Sequence, residues 1–339
     1  MKFKGGNYLN IKLSALDQSP IGEGSNSSEA LRNTIVLAQE LEKLGYYRFW
    51  VSEHHDTRSL AGSSPEILIS SIAAKTNKIR VGSGGVMLPN YSPYKVAENF
   101  KVLEALYPNR IDLGIGRAPG GMPLASKALM QGRSIFNDNY EEKVLDLVRY
   151  IYDIVPENHE FSGLKATPIV NTYPEIHILG SSGGSAGLAA NIGVSYAYAQ
   201  FITGGMGVSS VNWYRDNFKK SVVSLSPNTI ICSFVICCET EEEISNQVAI
   251  MDLTLLLVET GKSYGMPSLE KALAYKYSEG EMQIVKRNRK RMIIGTPDKV
   301  KEQIINMSKL YNTDEFMIIN LNTNLEDKIK SYKLISESF

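Results

Sequence analysis

Two of the chain's four histidines stand side by side behind a glutamate, as Glu53, His54 and His55, directly after the strand-like run Arg48 to Ser52. An unperturbed imidazole titrates near pH ~6.5 and exchanges a proton at neutral pH, so His54 leads the candidates for acid and base work, with His55 orienting or binding. Capping of a neighbouring loop is the plainer alternative for either residue. A metal site is weaker, since metal-dependent barrels gather His and carboxylate ligands from several strands, whereas His159 and His177 lie elsewhere and the first strand offers Asp17 and Gln18 but no His.

Three glycine-rich stretches follow other strand-like runs. In the first, Gly82 to Pro89, glycines such as Gly84 and Gly85 leave the backbone open to a flat ligand because no Cβ obstructs it. A bulge or a barrel corner explains them equally. The second, Gly114 to Gly121, places Gly116 and Arg117 before Pro119 and lacks the spacing and following helix of a dinucleotide fingerprint. The third, Gly180 to Ser185, leads straight into a helix. Free amides at a helix N-terminus, with the hydroxyls of Ser181, Ser182 and Ser185 beside them, suit a phosphate dianion. A plain Ser N-cap is the alternative. The Lys of a Walker loop is missing, which favours a monophosphate over ATP.

The elements that must position these residues alternate along the whole chain. Strand-like runs at Ile11 to Gln18, Arg48 to Ser52, Ile79 to Met87, Ile111 to Ile115, Glu175 to Gly180, Ser195 to Gln200, Thr229 to Cys238 and Phe316 to Asn320 are separated by amphipathic helical stretches. The helices Ser28 to Leu44, Pro65 to Thr76, Pro93 to Leu106, Tyr140 to Ile154, Ser185 to Ile192, Val211 to Phe218, Glu241 to Leu257 and Pro297 to Leu310 fill the gaps. Eight strands alternating with helices along the chain predict an α/β fold, a (β/α)8 TIM barrel in one domain over 1–339. Residues 261–292 break the rhythm before the last strand, with Gly261, Gly265, Pro267 and Gly280 ahead of a basic run from Lys286 to Arg291. That insertion reads as a possible active-site lid, and the basic run as a solvated helix face.

Whole-chain numbers narrow the class. Lys and Arg together number 36, as do Asp and Glu, so no broad positive surface for a nucleic-acid backbone is expected. Cys232, Cys237 and Cys238, odd in number and within one strand region, read as core thiols rather than a disulfide framework. The greasy run around Leu253 to Val258 is too short to span a bilayer, and Met1 to Asn10 lacks a secretory signal, so a cytoplasmic protein without membrane partner is expected.

The run from Phe49 through Arg117 resembles the bacterial-luciferase-like flavin-dependent monooxygenases. The matching pieces are Glu53-His54-His55, Ser64-Pro65, Val81 to Pro89, Ser92-Pro93, and Asn109-Arg110-Ile111 leading to Gly114-Ile115-Gly116-Arg117. Ile178 to Ala190 is similar to the family's phosphate loop, and Ile294 to Pro297 with Phe316 to Asn320 to its closing unit. The resemblance implies reduced FMN bound at the C-terminal mouth of the barrel, delivered by a separate flavin reductase, with O2 and a small organic molecule as substrates. It implies a non-prolyl cis peptide at Gly84-Gly85, a catalytic His54, phosphate contacts from Ser181, Ser182 and Ser185, a nearby cation in Arg117, and a homodimer formed through the first helices. Luciferase carries a reactive Cys where this chain has Gly116, so light emission is not expected. His55, Gln18, Tyr198 and Gln200, with Phe201, are the candidate substrate contacts, packing being the alternative for each. Two other readings share the fold: an oxidoreductase using deazaflavin F420 for hydride transfer, and a flavin-binding relative without catalysis.

Overall fold

The computed structural model describes residues 11–131, 139–203, 207–262 and 265–339. Residues 1–10, on which the leader argument rests, lie outside them. Among the described residues nine strands form one parallel sheet: β1 (Lys12–Asp17), β2 (Arg48–Val51), β3 (Arg80–Met87), β4 (Ile111–Gly116), β5 (Glu175–Gly180), β6 (Ser195–Ala199), β7 (Thr229–Cys237), β8 (Met292–Gly295) and β9 (Glu315–Ile319). Strands β1 to β7 pair in order, and β9 pairs with both β7 and β1, which closes an eight-stranded barrel. All eight barrel strands coincide with the strand-like runs of the sequence. β8 is an addition. Phe234 pairs with Ile319 of β9 and with Met292 of β8, so β8 lies on the opposite edge of β7 from β9 and extends only its upper half.

Around the barrel run α1 (Ser27–Lys43), α2 (Pro65–Ala73), α3 (Pro93–Leu106), α4 (Pro123–Met130), α5 (Tyr140–Ile151), α6 (Gly183–Ile192), α7 (Gln200–Thr203), α8 (Gly207–Asp216), α9 (Glu241–Glu259), α10 (Leu269–Ala274), α11 (Glu279–Arg289), α12 (Pro297–Tyr311) and α13 (Leu325–Ser338). Local chemistry sets their starts. The Asn26 side chain accepts from the Glu29 amide, Pro opens α2, α3 and α12, and Thr240 and Ser278 form capping boxes with Glu243 and Glu281. None of the helices among the described residues is long and apolar enough to cross a membrane.

The insertion is more regular than its Gly and Pro content predicts. Residues 265–292 hold α10 and α11 and run into β8. Its basic run lies on the last turn of α11, where Arg287 and Arg291 pair with Glu259 and Arg289 pairs with Asp252, both on α9.

Strand alternation sorts the apolar residues into two bodies. One fills the shell between barrel and helices; the other fills the barrel itself with Leu16, Trp50, Ala197, Cys232, Phe234, Met317 and Ile319 among others. The N-terminal end of the barrel is closed by charge. Arg48, 2% exposed, donates to Glu315 at 2.6 Å, to Asp112 at 2.9 Å and to Glu175 at 2.8 Å. Arg80 donates to the other Asp112 oxygen, and the Trp50 indole to Asp112 at 2.8 Å. Burial works against every charge here, yet Arg48 and Arg80 hold the Asp112 carboxyl below its ordinary value, and the same carboxylates hold Arg48 well above its own.

Candidate active site at the mouth of the barrel

The third strand shapes the floor of the mouth. Ser83 pairs with Leu113 and Val86 with Ile115, so β3 spends one more residue than β4 between those points. The surplus is a β-bulge at Gly84-Gly85, whose peptide bond is cis. Ser83 stitches it, donating to the Gly114 carbonyl at 2.9 Å and accepting from the Gly114 amide at 3.0 Å. A Cβ on Gly84 would stand 2.7 Å from the Leu16 side chain, and one on Gly85 would stand 2.8 Å from the Gly114 carbonyl. At Gly85 the obstacle is backbone, so glycine is required there for packing alone, whereas at Gly84 it is the end of the Leu16 side chain, which can turn aside. Gly116 is less constrained, because the Met87 thioether 3.0 Å from where its Cβ would be is the flexible end of a side chain.

The Glu53-His54-His55 turn is built around Glu53, which the sequence pointed to only as part of the tripeptide. This buried carboxylate accepts from the Met87 amide at 2.9 Å and the Tyr91 hydroxyl at 2.8 Å, and pairs with His55 Nε2 at 2.7 Å. It ties the ends of β2 and β3 together. Burial and then Glu53 push the Tyr91 phenol far above its ordinary value, so Tyr91 is a donor at any working pH. The only advance signal for Tyr91 is its place just beyond the β3 motif. His55 is bound again through its backbone, its amide donating to the Gly120 carbonyl at 2.7 Å.

His54 differs from the imidazole assumed from sequence. Its Nδ1 pairs with the Ser52 hydroxyl at 3.0 Å, and burial, reinforced by His55, lowers its pKa to about 4. It is neutral at pH 7. The folded value lies below the unfolded one, so the contribution to stability is whole above pH ~6.5 and is lost as pH falls toward 4, where only the unfolded chain takes up the proton. The shift amounts to about 3 kcal/mol by pH 4. His54→Gln is therefore expected to lessen the loss of stability between pH 6.5 and 4 in urea titrations, and an unchanged slope would show that His54 titrates normally.

Across the mouth, α6 starts at Gly183 with Ser182 as N-cap, and the Ser182 side chain makes no capping bond. Ser182, Gly183 and Gly184 are exposed, and no protein atom lies within 4 Å of the space above Gly183. Ser185 is turned inward: its hydroxyl donates to the Ser182 carbonyl at 2.9 Å and packs where a side chain on Gly180 would be. Ser181 is half-buried, and Arg117 is exposed with its guanidinium 5.8 Å from the Tyr140 ring.

Two of the expected substrate contacts do not reach the barrel interior. Tyr198 alternates with Ala197 and Ala199 to face the helix layer, fully buried, its ring 5.7 Å from Tyr311 and its hydroxyl 2.9 Å from Thr203. Gln200 is buried and accepts from Ser233 at 2.7 Å, again on the outer side of the strands. For Tyr198 the physical reason is the period of two, which sends neighbouring side chains to opposite faces, whereas Gln200 opens α7 and is held by Ser233. Phe201 instead joins the interior cluster against Phe234, and Gln18, half-buried, follows Leu16 at the end of β1.

Ligand atoms of Asp112, Glu175 and His177 lie within 4.8 Å of one another at the opposite end of the barrel. Arg48 and Arg80 already occupy both carboxylates, so the place of a divalent cation is taken by guanidinium groups.

The sequence profile described as luciferase-like monooxygenase matches residues 11–313. The chain belongs to that family. A Bacillus subtilis (strain 168) protein, uncharacterised YwcH, is 50% identical over 330 residues, covering 97% of this chain and 99% of its own. N-acetyl-S-alkylcysteine monooxygenase of the same organism is 37% identical over 332 residues, covering 97% of this chain and 98% of its own. The solved structure of apo-MsnO8 superposes with a TM-score of 0.88 at 35% identity over 97% of each chain. The mouth of this luciferase-like barrel, bearing the β3 bulge, the Glu53 turn and the open start of α6, is the candidate site, since α/β barrels carry their sites at that end.

Proposed function

We propose that the chain is a flavin-dependent monooxygenase that uses reduced FMN and O2 to oxidise a small organic substrate. The observation that carries this reading is the open, uncapped N-terminus of α6 at the same end of the barrel as the Gly84-Gly85 bulge and His54. A monophosphate fits there: the amides of Gly183 and Gly184 and the Ser182 hydroxyl would hold it, with the turn fixed by Ser185 and Arg117 as the candidate for added positive charge. Gly84 and Gly85, which carry no side chains of their own, would leave backbone open to the flat ring of the cofactor, with Gly116 on the neighbouring strand. The chemistry that bound reduced FMN supplies is electron transfer to O2.

The protein's own part is positioning, dryness and proton handling. Leu16, Trp50 and Leu179 pack beneath the bulge and keep water from the floor of the site. His54, held at Nδ1 by Ser52, leaves Nε2 for proton exchange. Being neutral, it accepts a proton first, and burial makes the resulting imidazolium give it back readily. Glu53 holds His55 beside it. His54→Ala is expected to slow turnover by about 10²–10⁴-fold while reduced-FMN affinity stays within twofold; an unchanged rate removes the assigned role.

Two partners follow. Reduced FMN comes from a separate flavin reductase, and a second copy of the chain docks on α2 and α3, where Ile67, Val102 and Leu106 are exposed. The relative named for N-acetyl-S-alkylcysteine supports a small organic substrate of similar scale. The deciding experiment is titration of the purified chain with reduced FMN, then oxygen, followed by absorbance and oxygen uptake. Tight reduced-FMN binding with oxygen consumption is expected. Binding of F420 with anaerobic turnover would replace the proposal with hydride transfer, and FMN binding without oxygen chemistry would replace it with a non-catalytic flavin protein.

A further inference from the structure

Between the C-terminal ends of β7 and β9 lies a cleft of about 410 Å³ that the flavin reading leaves unused. It exists because the two strands part. β9 accompanies β7 only as far as Phe234, beyond which Val235 to Cys237 bond to β8 on the other edge. α9 and α13 wall the gap, and Met266 to Leu269 of the insertion close its rim.

The cleft has two chemistries. Its floor is apolar: Ile236, Met251, Ile319 and Leu321 line it and belong to the interior cluster that also holds Leu16, Trp50 and Leu179 around the bulge. Its wall is rich in uncharged polar groups, with Asn246, Gln247, Asn320, Asn322 and Ser331. Ser331 is 6% exposed and its hydroxyl has no hydrogen-bond partner among the described residues. That oxygen is itself closed off from the open space, so it stands behind the wall of the cleft and is not offered to a ligand. The charged groups in the lining decide the ligand's charge. Glu243 and Asp327 supply carboxylates, and the ammonium of Lys330 is already taken by Glu239 at 2.6 Å and Glu243 at 3.0 Å. An anionic ligand would meet surplus negative charge without a free cation to answer it.

We propose that this cleft binds a small neutral amphiphile, its amide or alcohol head among Asn246, Gln247, Asn320 and Asn322 and its apolar tail on Ile236 and Ile319. On the monooxygenase reading, from which this last step follows, the cleft is the compartment of the organic substrate. The volume suits a molecule of that kind.

Octanamide and octanoate, matched in length and differing in charge, test the assignment by calorimetric titration of the full, flavin-free chain at pH 7. Octanamide is expected to bind and octanoate to bind at least about tenfold more weakly, the scale of one modest unrelieved repulsion. Gln247→Trp, which fills the cleft from α9, should remove octanamide binding and leave reduced-FMN binding unchanged, and Asn246→Trp provides a second filled variant. Equal or tighter binding of octanoate, octanamide binding undiminished in both filled variants, or no octanamide binding to the parent chain overturns the proposal. Loss of reduced-FMN binding with octanamide binding intact would sink the flavin reading and leave the cleft assignment standing.

Discussion

Arg48→Ala is expected to remove about 3–5 kcal/mol of stability, a large part of the 5–15 kcal/mol that holds a typical domain together. The reason is what remains behind. Arg48 alone joins Glu315, Asp112 and Glu175 across the closed end of the barrel, where Asp112 and Glu315 are no more than 1% exposed. Deleting it leaves Glu315 buried with only the Ser14 hydroxyl, 2.8 Å away, and leaves Asp112 to Arg80 and Trp50. The carboxylates must then take up protons or draw in water, and either route costs stability. Urea unfolding at pH 7 measures the loss directly. Lys333→Ala provides the contrast, since its pair with Glu337 is more than half exposed on both sides and its removal should change stability by less than about 0.5 kcal/mol. An Arg48→Ala loss below 1 kcal/mol would mean that the charged layer is well hydrated.

Ser182→Asp is expected to separate binding from folding. Asp is as good an N-cap as Ser, and a carboxylate at the start of α6 also interacts favourably with the helix dipole, so stability should stay level or rise by about 0.5 kcal/mol. The same carboxylate stands where the proposed phosphate would sit. Two unit negative charges about 4 Å apart near a protein surface repel by about 4 kcal/mol, so reduced-FMN affinity should fall by at least about 100-fold. Fluorescence titration with FMN and thermal unfolding of the same sample check both halves. Unchanged affinity would move the phosphate elsewhere; lost affinity together with lost stability would make the effect one of folding.

These two sites were unequally legible in the amino-acid order. Glycines and serines from Gly180 to Ser185 announce a helix start that leaves amides free, because both the turn and the absence of bulky side chains are local properties. The same holds for Gly84-Gly85, although packing of Gly85 against Gly114 supplies a reason for glycine that no local pattern contains. Arg48, by contrast, looks like an ordinary strand residue. Its partners are 64, 127 and 267 positions away, and only closure of the barrel brings them within reach.

The side chains at the mouth divide along the same line. His54 was readable as an imidazole at a strand end, but its neutrality comes from burial and from His55, which are properties of the packed turn. Tyr198 ends up on the outer face of β6 because closure fixes which of two alternating faces points inward, and Gln200 is held by Ser233 at the start of α7. Residues 265–292 form α10, α11 and β8 because the capping box of Ser278 and ion pairs to α9 outweigh a few glycines and a proline.

By itself the sequence determined the eight barrel strands and the main helices between them, though not α4, α7, α10 or α11, since hydrophobic period and end signals act over a few residues. It also determined the family, through motifs that survive in order. Only the tertiary structure decided that Glu53 anchors the mouth, that the barrel's far end is sealed by charge, and that a polar cleft opens where β7 leaves β9. Each of those depends on groups far apart in the chain, whose meeting is set by closure of the sheet rather than by any local preference.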